Sequence, residues 1–189
     1  GVCSMHGLTT VIRTGQPRPG VSGVVMDAQA MLSVLPSWRA GAARTAIVDF
    51  LESVTSGSGA IPAAERIATF DNDGTLACEK PHTALAAFLA AQSRRELADV
   101  SGHEVLRELG ALLAGTSVAE YETLSREFLA NATHPRFGVG YPALVYAPMQ
   151  ELIALLHLLE FRVFVCSDSS RDFNRVLAAS AYDLPPERI

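Results

Sequence analysis

The chain has 189 residues, and it lacks long apolar runs and a cysteine framework and has almost no lysine. A membrane span needs roughly 18 or more apolar residues in a row. The longest candidates, residues 84–91 and 152–159, fall well short, and His157 interrupts the second. No membrane partner is expected. The amino terminus has no charged segment followed by an apolar stretch, so no secretory leader is expected. The three cysteines, Cys3, Cys78 and Cys166, are odd in number and far apart. They form neither a disulfide framework nor a zinc pattern, which gives a reducing, cytoplasmic setting as the expectation. Positive charge is also short, with 15 basic residues against 20 acidic and a formal net charge of −5. Nucleic-acid binding needs a basic surface, so no nucleic-acid partner is expected. The basic residues are 14 Arg and a single Lys, Lys80.

What is present is apolar: 49% of the residues, against 19% charged, enough for a packed core. The length suits one domain, or one domain with an insert. Residues 1–35 have poor periodicity and several Gly and Pro, and read as a loose arm. Over 41–56, Ile47, Phe50, Leu51 and Val54 recur at helical spacing. Ile67-Ala68-Thr69-Phe70 reads as a short strand that stops at Asp71. Helices are predicted over 84–97, around Val105, Leu106, Leu109, Leu112 and Leu113, and after Ser117. There Ser117 and Glu120 form a capping box, with Val118, Tyr121, Leu124 and Phe128 on one face. Pro148 suits the first turn of a helix through Leu159 that is apolar nearly all round and expected to be buried. A second strand is predicted over 161–166, then a helix capped by Ser169 or Ser170. Strands alternating with helices imply an α/β fold with a parallel sheet. In such sheets the chemistry gathers at the carboxyl ends of the strands. The two unusual polar segments, 71–75 and 167–170, lie at those ends.

At the first strand end, Asp71 and Asp73 stand two residues apart with Gly74 and Thr75 behind them. Gly74 permits a curl that brings both carboxylates into one volume. Converging carboxylates favour a hard divalent cation, and Mg²⁺ suits oxygen ligands. The spacing excludes an EF-hand, whose twelfth position would be His82 rather than Glu. The plainer alternative is a polar turn with an Asx cap. At the second strand end, a hydroxyl followed by a helix start can cradle phosphate, with Ser167 as donor. The plainer alternative there is an ordinary N-cap.

The run Phe70-Asp71-Asn72-Asp73-Gly74-Thr75 resembles the first motif of the haloacid dehalogenase-like hydrolase superfamily. Continued through Cys78-Glu79-Lys80-Pro81, it is similar to the phosphoserine phosphatase-like branch. The resemblance implies a Rossmann-like parallel core over 36–76 and 148–189, with a helical cap insert over 77–147. It implies Asp71 as nucleophile and Mg²⁺ ligand, passing through an aspartyl-phosphate. It makes Asp73 the general acid/base, with its main-chain carbonyl on the metal. Ser167 takes the place of the phosphate-binding hydroxyl of the second motif, with Thr75 and Ser169 as further phosphate contacts. Asp168 departs from the small residue usual there. Glu79 matches a stretch that touches the substrate's amino group, and Arg171 is a candidate partner for a substrate anion. His82, His103, His134 and His157 show no metal spacing and read as structural, and Cys78 and Cys166 read as small buried packing residues.

The implied activity is Mg²⁺-dependent hydrolysis of a small phosphorylated metabolite. The superfamily's later motifs supply a Lys and further Asp beyond the second strand. Here Lys80 lies upstream and no further strand follows, so the chain is expected to be an amino-terminal portion with an incomplete core. The alternatives are a catalytically inactive remnant that binds a ligand, or a related phosphotransferase.

Overall fold

The computed structural model describes residues 26–94 and 102–189. Expectations placed on residues 1–25 and 95–97, and on the side chains of His103, Val105 and Leu106, lie outside the described residues. In chain order the elements are α1 (Ala28–Val34), α2 (Ala42–Thr55), β1 (Ile67–Phe70), α3 (Ala84–Ser93), α4 (Gly102–Leu113), α5 (Val118–Asn131), α6 (Ala147–Leu158), β2 (Arg162–Val165) and α7 (Arg171–Ala181). The fold mixes helices with a two-stranded parallel sheet. Among the described residues, no helix is long and apolar enough to cross a membrane.

The strands pair in register from Ile67 opposite Arg162 to Phe70 opposite Val165. Two arginines hold that register at the strand starts. Arg66 donates to the carbonyl of Leu159, just before β2, at 2.9 Å. Arg162 donates to the carbonyl of Ala64, just before β1, at 2.8 Å. Each arginine therefore reaches the segment that leads into the other strand. The ladder runs one bond further, with the Cys166 N–H donating to the Phe70 carbonyl at 2.8 Å. Asp71 and Ser167 thus leave the sheet from the same end.

Several helix boundaries follow from their caps. Ser117 and Glu120 form the reciprocal capping box at the start of α5. Thr83 caps α3, accepting from the Ala86 N–H at 3.2 Å. Pro148 lies in the first turn of α6, where its missing N–H has no helical partner to lose.

Most of the buried apolar residues form one cluster. Its aromatic part joins the 77–147 segment to α7. Phe88 of α3 lies 5.6 Å from Tyr121 and 5.5 Å from Phe128, both of α5, and 5.2 Å from Phe173 of α7. Phe128 in turn lies 5.3 Å from Tyr141.

Four details correct the reading from sequence. Residues 26–35 are not part of a loose arm: Asp27 caps α1, and Met31 and Leu35 are fully buried in the core. Phe50 is 59% exposed, because α2 is an outer helix that buries only the stripe of Val48 and Leu51. Val118 and Leu158 are exposed, each being the terminal residue of its helix. Cys166 is exposed, since strand alternation places it on the face opposite the buried Val163 and Val165.

Candidate active site

The chain leaves β1 through a tight curl built on one carbonyl. The Asn72 carbonyl accepts from the N–H groups of Thr75 (3.2 Å), Leu76 (2.8 Å) and Ala77 (3.0 Å). The Gly74 N–H donates to the Ala77 carbonyl at 2.9 Å, and Gly74 has φ +75°, which glycine adopts without strain. A Cβ at Gly74 would also lie 2.9 Å from the Glu79 Cδ. Glycine is therefore required both for the curl and for the close approach of the Glu79 carboxylate.

The curl keeps Asp71 exposed, its Oδ1 accepting from the Asn72 N–H at 2.7 Å. Asn72 points the other way and is buried. Its Oδ1 accepts from the Tyr182 hydroxyl at 2.8 Å, and its amide donates to Asp73 Oδ1 at 3.2 Å. Burial, with Asp73's negative charge behind it, pushes the Tyr182 phenol far above its ordinary ionisation range, so it remains a donor.

Asp73 is half-buried, and its carboxyl is pushed up to about 6. Burial is the largest cause, followed by the negative charges of Asp71, Asp168 and Glu79, and the Asn72 amide offsets part of the rise. Four carboxylates therefore influence one small volume. None of the ion pairs among the described residues reaches Asp71, Asp73 or Asp168. The oxygen donors Asp71 and Asp73 fit a hard divalent cation chemically, since its charge would relieve this repulsion. No group of three His, Cys, Asp or Glu side chains arranged to hold a metal occurs among the described residues.

The raised carboxyl of Asp73 has a stability consequence. The folded state binds this proton more tightly than the unfolded chain does. The associated stability is complete below about pH 4 and is lost as pH rises towards about 6. Above that, ionised Asp73 costs up to about 3 kcal/mol, reduced to about 1–2 kcal/mol because solvent reaches part of the side chain. Asp73→Asn is therefore expected to stabilise the fold by about 1–2 kcal/mol at pH 7.5 in buffer free of divalent cations, and by little at pH 4. Urea denaturation of both proteins at the two pH values checks this, and an equal difference at both would contradict it.

At the end of β2, Ser167 Oγ accepts from the Ser169 N–H at 3.2 Å, which leaves the Ser167 hydroxyl proton free to be donated. Ser170 rather than Ser169 caps α7, accepting from the Phe173 N–H at 3.4 Å and from the Tyr121 hydroxyl at 3.0 Å. The Thr75 N–H is taken up inside the curl. Arg171 is exposed and pairs with Asp172 at 3.2 Å. Glu79 lies against the curl and pairs with Lys80 at 3.3 Å. The structure thus brings Asp71, Asp73 and Glu79 together, with Asp168 in electrostatic reach, and places Ser167 at the neighbouring strand end. Arg171 stands apart in its own surface pair.

The sequence reading assigns no role to Asn72, Tyr182 or Tyr146, and treats His134 only as structural, which its burial and its two ring hydrogen bonds bear out. The Tyr146 phenol is held above its ordinary value by burial first and then by neighbouring Cys78 and Glu79. Asn72 sits between the two aspartates and was legible as a position, but its partner lies 110 residues away. The segment that carries Glu79 is zipped to the one before α6: the Cys78 N–H donates to the Leu144 carbonyl and the Tyr146 N–H to the Leu76 carbonyl, both at 2.9 Å. Compared with protein-family models and with curated proteins, the chain matches none.

Proposed function

We propose that the chain carries the nucleophile and proton-transfer part of a Mg²⁺-dependent phosphomonoester hydrolase of the haloacid dehalogenase-like type, acting on a small phosphorylated metabolite. On this reading the two strands belong to a Rossmann-like core and residues 77–147 form the cap. The observation that carries it is the pairing of an exposed Asp71 with an Asp73 carboxyl pushed up to about 6, both at a strand end. A general acid works best when its pKa lies near the working pH.

In the first step a carboxylate oxygen of Asp71 forms a bond to phosphorus as the bond from phosphorus to the ester oxygen breaks. Asp73 gives its proton to the departing alkoxide. In the second step Asp73, now ionised, takes a proton from water as that water attacks the aspartyl-phosphate, which frees phosphate and restores Asp71. The Ser167 hydroxyl donates to a phosphate oxygen. The Asp71 carboxylate and the Asp73 main-chain carbonyl would hold Mg²⁺, whose charge offsets that of the phosphate and the nucleophile.

The test is phosphate release from a panel of small phosphate esters by the protein, with Mg²⁺ and with EDTA. Release that requires Mg²⁺ supports the reading. Binding of esters without release would favour an inactive binding module, and transfer to an alcohol in place of water a phosphotransferase.

A further inference from the structure

His134 is one of the few polar side chains buried in the core, at 1% exposure, and the chemistry above makes no use of it. It lies in the loop after α5, yet its bonds reach back to the start of the 77–147 segment. The Arg136 N–H donates to Nδ1 at 3.2 Å, so Nδ1 is unprotonated and the proton sits on Nε2. Nε2 is 3.1 Å from the Lys80 carbonyl and therefore donates to it. The Phe137 ring stacks on the imidazole at 4.9 Å, and the Arg136 guanidinium lies over Phe137 at 5.3 Å. The loop itself is closed by the His134 N–H donating to the Val139 carbonyl and the Gly138 N–H to the His134 carbonyl, both at 2.8 Å.

Lys80 follows Glu79, whose carboxylate rests on Gly74 of the catalytic curl. The Cys78 thiol also leans on the Lys80 carbonyl, at 3.4 Å. We propose that His134 is a positioning residue: by holding the Lys80 carbonyl, it keeps the 78–81 turn, and Glu79 with it, against the loop that carries Asp71 and Asp73. The placement stands on the hydrogen bonds alone; its effect on turnover rests on the phosphatase reading. Asp71 and Asp73 are held separately, by the Asn72 carbonyl and the bond from Tyr182 to Asn72. Loosening the turn should therefore disturb substrate binding before it disturbs the chemical step.

The two ring nitrogens allow a discriminating test. Glutamine can place an amide N–H where Nε2 lies, whereas asparagine can replace only Nδ1. In His134→Asn the turn opens more often, and Cys78 labelling by a thiol reagent, followed by peptide mass mapping, should speed up about five- to tenfold, the equilibrium weight of one hydrogen bond. His134→Gln should stay within about twofold of the parent. If the protein hydrolyses a phosphate ester, KM should rise in His134→Asn more than kcat falls, with rescue in His134→Gln. Equal Cys78 labelling in the two variants would overturn the proposal. Failure of the parent to hydrolyse any ester would overturn the phosphatase reading instead, and the labelling still decides the positioning role. Should neither His134 variant fold, Phe137→Ala removes only the exposed ring stacked on the imidazole. Faster Cys78 labelling there supports the proposal, and an unchanged rate overturns it.

Discussion

On the proposed mechanism, Asp71→Asn is expected to lower Mg²⁺-dependent phosphate release by at least about 10³-fold while leaving the fold intact. The amide has nearly the shape of the carboxylate, and its oxygen can still accept from the Asn72 N–H, so the curl keeps its geometry. It lacks the negative charge and nucleophilicity that the proposed bond to phosphorus requires. Asp71 is exposed, so the substitution leaves no cavity and strands no buried group. Asp73→Asn provides the comparison. If Asp73 is the general acid, its removal is expected to cost about 10²–10⁴-fold, and the loss should shrink for esters whose leaving group departs without protonation, such as a nitrophenolate. The Asp71 variant should show no such dependence on leaving group. Steady-state rates on an alkyl and a nitrophenyl ester, with denaturation curves for each variant, separate the two roles. Activity of Asp71→Asn within tenfold of the parent would remove Asp71 as the nucleophile.

The second large effect concerns stability. Phe88→Ala is expected to destabilise the protein by about 3–5 kcal/mol, the usual cost of truncating a fully buried phenylalanine. Phe88 has no exposed surface and meets Tyr121, Phe128 and Phe173, so its ring joins α3 and α5 to α7. The cost combines lost burial with a cavity that the three surrounding rings, two on α5 and one on α7, cannot close together. Phe88→Leu refills much of the volume and should cost far less. Both values come from urea denaturation followed by circular dichroism. A loss below about 1 kcal/mol in Phe88→Ala would mean that the cluster repacks, against the expectation for a rigid core.

The elements that local chemistry specifies were legible in the sequence. β1 appears where Ile67 to Phe70 predict it, and α5 begins at the capping box of Ser117 and Glu120. Asp71, Asp73 and Gly74 could be singled out because their signal lies within four consecutive residues. The partners that complete the site could not. Tyr182 reaches Asn72 across 110 residues and His134 reaches Lys80 across 54, and neither residue carries a local mark of its partner. Sequence leaves Ser169 and Ser170 as equal candidates for the cap of α7, and Ser170 takes it, accepting from the Phe173 N–H. Phe50 belonged to the periodic set of α2, but periodicity does not say how much of a face a neighbouring helix will cover.

The bond from Tyr182 to Asn72 also bears on the order in which the molecule assembles. Bringing two points 110 residues apart together must first overcome the entropy of closing that loop, so such contacts tend to form late. During synthesis the two aspartates leave the ribosome well before the residue that anchors the loop between them. A nascent or partly folded chain therefore carries the motif without the geometry. The loop after β1 gains its Asn72 anchor only when Tyr182, just after α7, docks onto it, so the curl that holds the two aspartates is expected to be set late in folding.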